Sequence, residues 1–301
     1  SLEEAAAILI DLIGGPSRQP GRYETQVMGD PAGPWQVELD FTWLKSLGRR
    51  EHDEGLGGRV QELAEDGLRA IAERIVPVEV VGPPMPMNRL AEVNRLIDAL
   101  REAGAVGTSD NPVYAFGMQL NPELADTDVD SIRGYLQAYL CLEDWLRGRA
   151  QVDLTRRLTF FADPFPKPYA RAVVDADYAP HRDRLIDDYL DANPTRNRAL
   201  DLLPLFAYLD EPRVRARVDD DRIKARPTLH YRLPNSEIDR PGWNLSQAWD
   251  DWLVVERLAS DPQRLARLCE TYALFLDRPL GRLTGDWAEQ TQQWLETNPA
   301  R

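Results

Sequence analysis

The feature that most constrains this chain is a set of short segments in which apolar and polar residues alternate with a period of two. From Trp35 to Asp40, Trp35, Val37 and Leu39 alternate with Gln36, Glu38 and Asp40; from Tyr23 to Met28, Tyr, Thr and Val alternate with Glu, Gln and Met. Successive side chains of a strand point to opposite faces, so each segment has one greasy face and one polar face. Strands covered by helices on both sides read instead as unbroken apolar runs. The pattern therefore predicts an α+β fold, with an antiparallel or mixed sheet and helices on one face rather than a doubly wound parallel sheet.

Helical patterns fill the gaps between these strands. Ser1 is placed to cap a helix that carries Glu3 and Glu4 in its first turn and runs to Ile13, where Gly14-Gly15 stops it. A second helix follows from the spacing of Val60, Leu63, Ala64, Leu68, Ile71 and Ile75. Val76–Val81 reads as a strand stopped by Gly82-Pro83-Pro84, and Asn88–Ala103 as an amphipathic helix ended by Gly104. Val113–Asn121 reads as a strand, and Thr127 or Asp128 caps a long helix bearing Ile132, Tyr135, Leu136, Tyr139, Leu140 and Trp145. From Phe160 to Ala179 the chain is rich in proline and aromatics and reads as loop. Helices resume at His181–Ala192 and Arg198–Leu209, a strand fits Thr228–Leu233, and Leu245–Glu296 reads as three helices. A chain of 301 residues fits one large domain with a helical extension.

Sorting the strands by face yields a set of candidate functional residues. The polar side holds Glu38 and Asp40 in one strand, Gln119 and Asn121 in another, and His230 and Arg232 in a third; Glu79 stands alone among valines. A lone carboxylate in an apolar strand is costly unless it is paired or holds a cation. An arginine's planar fork suits carboxylate or phosphate, while Ala115 and Gly117 leave room on that face. Arg196 and Arg198, after Asn193-Pro194-Thr195, are placed as an anion clamp at a helix start. Lys167, between aromatics in the Pro-rich loop, is placed on a lid. A merely wet sheet face accounts for the same alternation, so the pattern alone leaves both readings open.

Charge and composition exclude other classes. Fifty acidic residues against 36 basic give a net charge of −14, which repels phosphate backbones and argues against nucleic-acid binding. The one basic stretch, Arg213 to Arg226, is broken by Asp219, Asp220 and Asp221 and reads as a solvated linker. No run approaches the roughly 20 apolar residues that a membrane span needs, and acidic residues, not basic ones, lead the first apolar segment. Cys141 and Cys269 are too few for a disulfide framework or a zinc site, and a reducing, cytoplasmic compartment is expected. Three scattered histidines, His52, His181 and His230, do not make a zinc triad. None of the familiar phosphate loops, serine elbows or H-E-x-x-H helices occurs.

A series of ordered segments resembles the putative amidoligase family, a branch of the glutamine synthetase-like carboxylate–amine ligases. These are Trp35-Gln36-Val37-Glu38-Leu39-Asp40-Phe41-Thr42, Glu79-Val80-Val81-Gly82-Pro83-Pro84, Phe116-Gly117-Met118-Gln119-Leu120-Asn121, Asn193-Pro194-Thr195-Arg196-Asn197-Arg198 running into Leu200-Asp201-Leu202-Leu203-Pro204, and Arg226-Pro227-Thr228-Leu229-His230-Tyr231-Arg232; the helix with Trp249-Asp250-Asp251-Trp252 follows. The resemblance spans roughly residues 1–260, the expected catalytic domain, with 261–301 as a helical extension packed on it. It implies a curved, mainly antiparallel sheet whose concave face holds ATP, Mg²⁺ and an acyl substrate. The implied activity is ATP- and Mg²⁺-dependent ligation of a small carboxylate or peptide to an amine through an acyl phosphate.

On that resemblance Glu38, Asp40 and Glu79 are expected metal ligands. Arg232 and His230 are expected at the reacting groups, and Arg196, Arg198, Lys167, Gln119 and Asn121 are expected to contact substrate or nucleotide. Three departures matter. The family's opening G-x-E-x-E strand is expected before Ser1, Gln119 stands where the family often has His, and His230 where it often has Glu. Mg²⁺ prefers oxygen donors, so the departures leave an alternative: a non-catalytic descendant that uses the same face to bind a small molecule or partner.

Overall fold

A computed structural model describes residues 1–21, 23–39, 76–107, 117–150, 162–278 and 286–299. The chain divides into two compact units, one of 1–116 with 237–245 and one of 117–236 with 246–301.

In the first unit, helix α1 (Leu2–Ile13) begins with a capping box in which Ser1 Oγ accepts from the Glu4 amide while the Glu4 side chain reaches back to the Ser1 backbone. A four-stranded antiparallel meander follows, β1 (Ser17–Gly21), β2 (Glu24–Val27), β3 (Trp35–Leu39) and β4 (Val78–Val81), in that spatial order. The end of α1 meets the β2–β3 turn backbone to backbone. A Cβ on Gly29 would fall 1.9 Å from the Gly14 carbonyl oxygen, so a side chain there is excluded. Helix α2 (Leu90–Glu102) joins α1 on the apolar face of the sheet. Leu2, Leu9, Val27, Trp35, Val37, Leu39, Val76 and Leu96 form the core there.

One ion pair locks this unit. The Asp30 carboxylate accepts two bonds from the Arg89 guanidinium, at 2.9 and 2.7 Å, one from Trp35 Nε1 at 2.9 Å and one from the Ala32 amide at 2.8 Å. With four donors on two oxygens, the carboxylate is held far below the ordinary range, chiefly by Arg89.

The second unit is helical around the buried α3 (Val129–Arg149). The C-terminal helices α8 (Pro262–Leu276) and α9 (Trp287–Thr297) pack against α3, as do α4 (Lys167–Val173) and α5 (Arg182–Ala192). Tyr139, Phe165, Tyr189, Phe206, Tyr231 and Trp252 are 0–2 % exposed and form a continuous aromatic core with Tyr135 and Tyr169, mostly in edge-to-face contacts. Helices α6 (Leu203–Arg215) and α7 (Leu245–Ala259) complete the helical set described. Strands β5 (Leu200–Asp201) and β6 (His230–Tyr231) pair antiparallel, and bridges Gly117–Asn235, Leu120–Tyr231 and Glu123–Thr228 lay the 117–123 segment along the other side of β6. Cys141 on α3 and Cys269 on α8 are buried free thiols with sulfurs 3.8 Å apart. Among the described residues no helix is long and apolar enough to cross a membrane.

Several sequence expectations are corrected. The Pro-rich stretch read as loop contains α4, which Lys167 opens. Asn193 ends α5 instead of opening a helix, and the helix expected from Arg198 starts at Leu203, because Leu200–Asp201 is drawn into a strand. The edge strand β1 was not expected. Asp40, His52, the helix expected over 60–75 and the start of the 113–121 strand lie outside the described residues. The described strands form a four-stranded and a two-stranded antiparallel sheet, within a mixed helix-and-sheet architecture.

Candidate functional site

The register of the first unit's sheet brings three carboxylates into one line. Glu24 on β2 stands opposite Glu38 on β3, and Glu38 stands opposite Glu79 on β4. Neighbours in such a row have Cβ atoms about 5 Å apart. The row occupies the face away from α1, since Trp35, Val37 and Leu39 point into the core while Gln36 and Glu38 are half-exposed. This explains Glu79 among valines: Val78 and Val80 pack against the core and Glu79 takes the other face. Gln36 Nε2 lies between two of the acids, donating to Glu38 Oε2 and, at 3.4 Å, to Glu24 Oε2.

Like charges opposite one another destabilise a sheet unless they are compensated, and Glu38 and Glu79 each have a further polar or electrostatic interaction. The row's donors are all hard oxygens, which suits Mg²⁺. Among the described residues no group of three or more His, Cys, Asp or Glu side chains is arranged to hold a metal ion. Mg²⁺ often keeps several waters and takes one or two carboxylates together with phosphate oxygens. Glu38 and Glu79, both expected from the sequence, are therefore brought together. Glu24 was missed, and only the strand pairing reveals it.

In the second unit a cationic cluster surrounds a buried carboxylate. Asp201 on β5 pairs in register with His230 on β6. Asp201 is 0 % exposed; its Oδ1 accepts from the Leu203 amide at 2.9 Å, and its Oδ2 has no hydrogen-bond partner. Burial pushes its acidity up to about 6, against the pull of the Leu203 amide and of Arg232, Arg196 and Arg226.

His230, 5 % exposed, has its pKa driven well down by burial and by the same three arginines, so it is neutral at pH 7. Its Nδ1 lies 2.8 Å from Asn121 Oδ1 and 3.3 Å from Arg226 Nη2. The shorter contact makes Nδ1–H the donor to Asn121 and leaves the lone pair on Nε2. Arg226 also donates to Asn121 Oδ1 at 2.8 Å and to Thr228 Oγ1 at 3.1 Å, while Arg232 Nη1 donates to the Arg196 carbonyl. Three guanidiniums act on one buried acid here, a residue set of the kind that recognises anions.

Of the residues expected from the sequence, Asn121, Arg196, His230 and Arg232 meet here. Arg198 is committed elsewhere: it donates to Asn193 Oδ1 at 2.8 Å and the Pro164 carbonyl at 2.6 Å and lies over the Phe165 ring, pinning the 193–198 segment to 163–165. Gln119 and Lys167 are exposed, and neither makes a hydrogen bond or ion pair among the described residues.

Arg226 corrects the reading of 213–226 as a solvated linker. Arg213 binds Asp183, Asp187 and Asp210, Arg217 binds Asp191, and Arg226 reaches into the cluster. Asp201 carried the same signal as Glu79, a lone acid in an apolar run, Leu200-Asp201-Leu202-Leu203.

A model of the family described as putative amidoligase enzyme matches residues 1–254, which reach into both units. No curated protein and no solved structure matches the chain.

Proposed function

The chain belongs to the putative amidoligase enzyme family, and on that premise we propose that it is an ATP- and Mg²⁺-dependent ligase joining a small carboxylate to an amine. The observation that carries the reading is the family match over residues 1–254; the Glu24–Glu38–Glu79 row adds oxygen donors on the sheet face away from α1. Mg²⁺ and ATP, when bound, supply the phosphoryl group that activates the carboxylate as an acyl phosphate.

The chain's own residues do the rest. Glu38 and Glu79, with Glu24 beside them, hold the cation, and Asp40 joins them in this reading. Arg196, Arg226 and Arg232 bind anionic oxygens and stabilise charge that develops on them. Neutral His230 offers Nε2 to a donor, with its ring fixed by Asn121. A finer glutamine synthetase-like sheet, and substrate contacts by Gln119 and Lys167, belong to the same reading.

The test is a hydroxamate assay in which hydroxylamine replaces the amine across a panel of amino acids and dicarboxylates. Hydroxamate with matching ADP, dependent on Mg²⁺ and lost in Arg232→Lys, is the expected result. A panel that yields neither hydroxamate nor ADP overturns the ligase reading in favour of a non-catalytic binding domain.

A further inference from the structure

We propose that Cys141 and Cys269 form a redox switch: a peroxide closes them into a reversible disulfide that fastens helix α8 to α3. Neither thiol belongs to the glutamate row or the Asp201 cluster, so the inference stands whether or not the chain is a ligase.

Placement is the first ground. The chain has two cysteines, 128 positions apart, and the fold brings them together. Cys141 lies on the buried α3 and Cys269 on α8, and their sulfurs stand 3.8 Å apart as free thiols. A buried cysteine packs as a small apolar side chain, and that role does not require two of them to meet. A disulfide is about 2 Å long, so the sulfurs have a gap of roughly 2 Å to close. That is a side-chain adjustment, not a refolding.

The second ground is what holds them there. Trp287, at the start of α9, donates its Nε1–H to the Cys141 carbonyl at 2.8 Å. Its ring stacks on Tyr272, one turn beyond Cys269, with centroids 4.8 Å apart. One buried tryptophan thus ties both cysteine-bearing segments, and fixing two reacting groups face to face favours the reaction between them. The family match ends at residue 254, so the bond joins a helix inside the matched region to one beyond it.

The chemistry balances. Cys269, 5 % exposed against 0 % for Cys141, meets the peroxide. Its sulfur attacks one oxygen of hydrogen peroxide, the O–O bond breaks, and the thiol proton leaves with the other oxygen as water, giving a sulfenic acid. The Cys141 sulfur then attacks the sulfenic sulfur, the S–O bond breaks, and the hydroxyl leaves with the Cys141 proton as a second water. The two thiols lose two electrons and the peroxide gains them. Burial pushes the Cys141 thiol well above its ordinary range, which keeps it protonated and suits it to the second step.

The test exposes the folded full chain to hydrogen peroxide, then unfolds it and alkylates whatever thiols are left. A monomer lighter by two hydrogens is expected, with neither cysteine alkylated, the Cys141 and Cys269 peptides linked, and both thiols recovered by dithiothreitol. The oxidised chain is expected to melt about 5 °C or more above the reduced one, because the bond closes a long loop. Cys269→Ser and Cys141→Ala are expected to show no such rise; each variant is compared with its own reduced sample, so a change in its basal stability does not enter. The proposal is overturned if both thiols stay free, if oxidation runs on to sulfinic acid without a link, if links form only between chains, or if the linked chain melts no higher than the reduced one.

Discussion

Asp201 shows what a single residue contributes at this site. An ordinary aspartate titrates near 3.9, and burial raises this one to about 6. In that interval the folded state holds the proton and the unfolded state does not, so stability is greatest below about pH 4 and falls as the pH rises through 6. Two units correspond to roughly 3 kcal/mol. Asp201→Asn keeps the acceptor for the Leu203 amide and removes the charge. It is predicted to be more stable than the parent by about 2–3 kcal/mol near neutral pH, with the difference gone by pH 4. Urea unfolding across that range checks this. An asparagine variant less stable at neutral pH would mean that the three arginines require the carboxylate as their counter-ion. Perturbed acids cluster at functional sites, as well as in structural ion-pair networks. The same buried-acid signal was legible in Leu200-Asp201-Leu202, but the arginines around it come from segments 196, 226 and 232, and their convergence is a property of the fold.

At the scale of elements, the alternating segments were legible because one buried face imposes a period of two. The core sides of β3 and β4 follow from it directly. β1 was not legible: Ser17-Arg18-Gln19-Pro20-Gly21 has no apolar face and contains proline, both tolerated only on a sheet edge. Register was not legible either, since which acids meet is set by how the strands pair. The Glu24–Glu38–Glu79 row therefore emerges only from the pairing. Element ends were lost where tertiary pairing overrode helical pattern, as at Leu200–Asp201.

The lock that holds the β2–β3 turn to the start of α2 also acts at this scale. Asp30→Ala leaves Trp35 Nε1 and Arg89 without their acceptor and is predicted to lower the melting temperature by about 5 °C or more. Because the Asp30 carboxyl is held below its ordinary range, its contribution is present above that range and is lost as the pH falls below it. Thermal unfolding at pH 7 and pH 3 checks both points: the gap between parent and variant narrows in acid, and a gap that persists unchanged there would assign the effect to packing.

For the whole molecule, the family match covers 1–254, while the fold divides elsewhere: residues 237–245 return to the first unit and the helices beyond 260 pack on α3 of the second. The carboxylate row lies in one unit and the arginines around Asp201 lie in the other. The net charge of −14 did not announce the three arginines that act on Asp201, because their convergence comes from the fold. The most direct test of the central claim is calorimetric titration of ATP into the chain with and without Mg²⁺, repeated on Glu79→Ala. The account predicts binding that depends on Mg²⁺ in the parent and is weakened at least tenfold in the variant, the scale of one lost charged ligand. ATP binding that is indifferent to Mg²⁺ and to Glu79, or no binding at all, would contradict it.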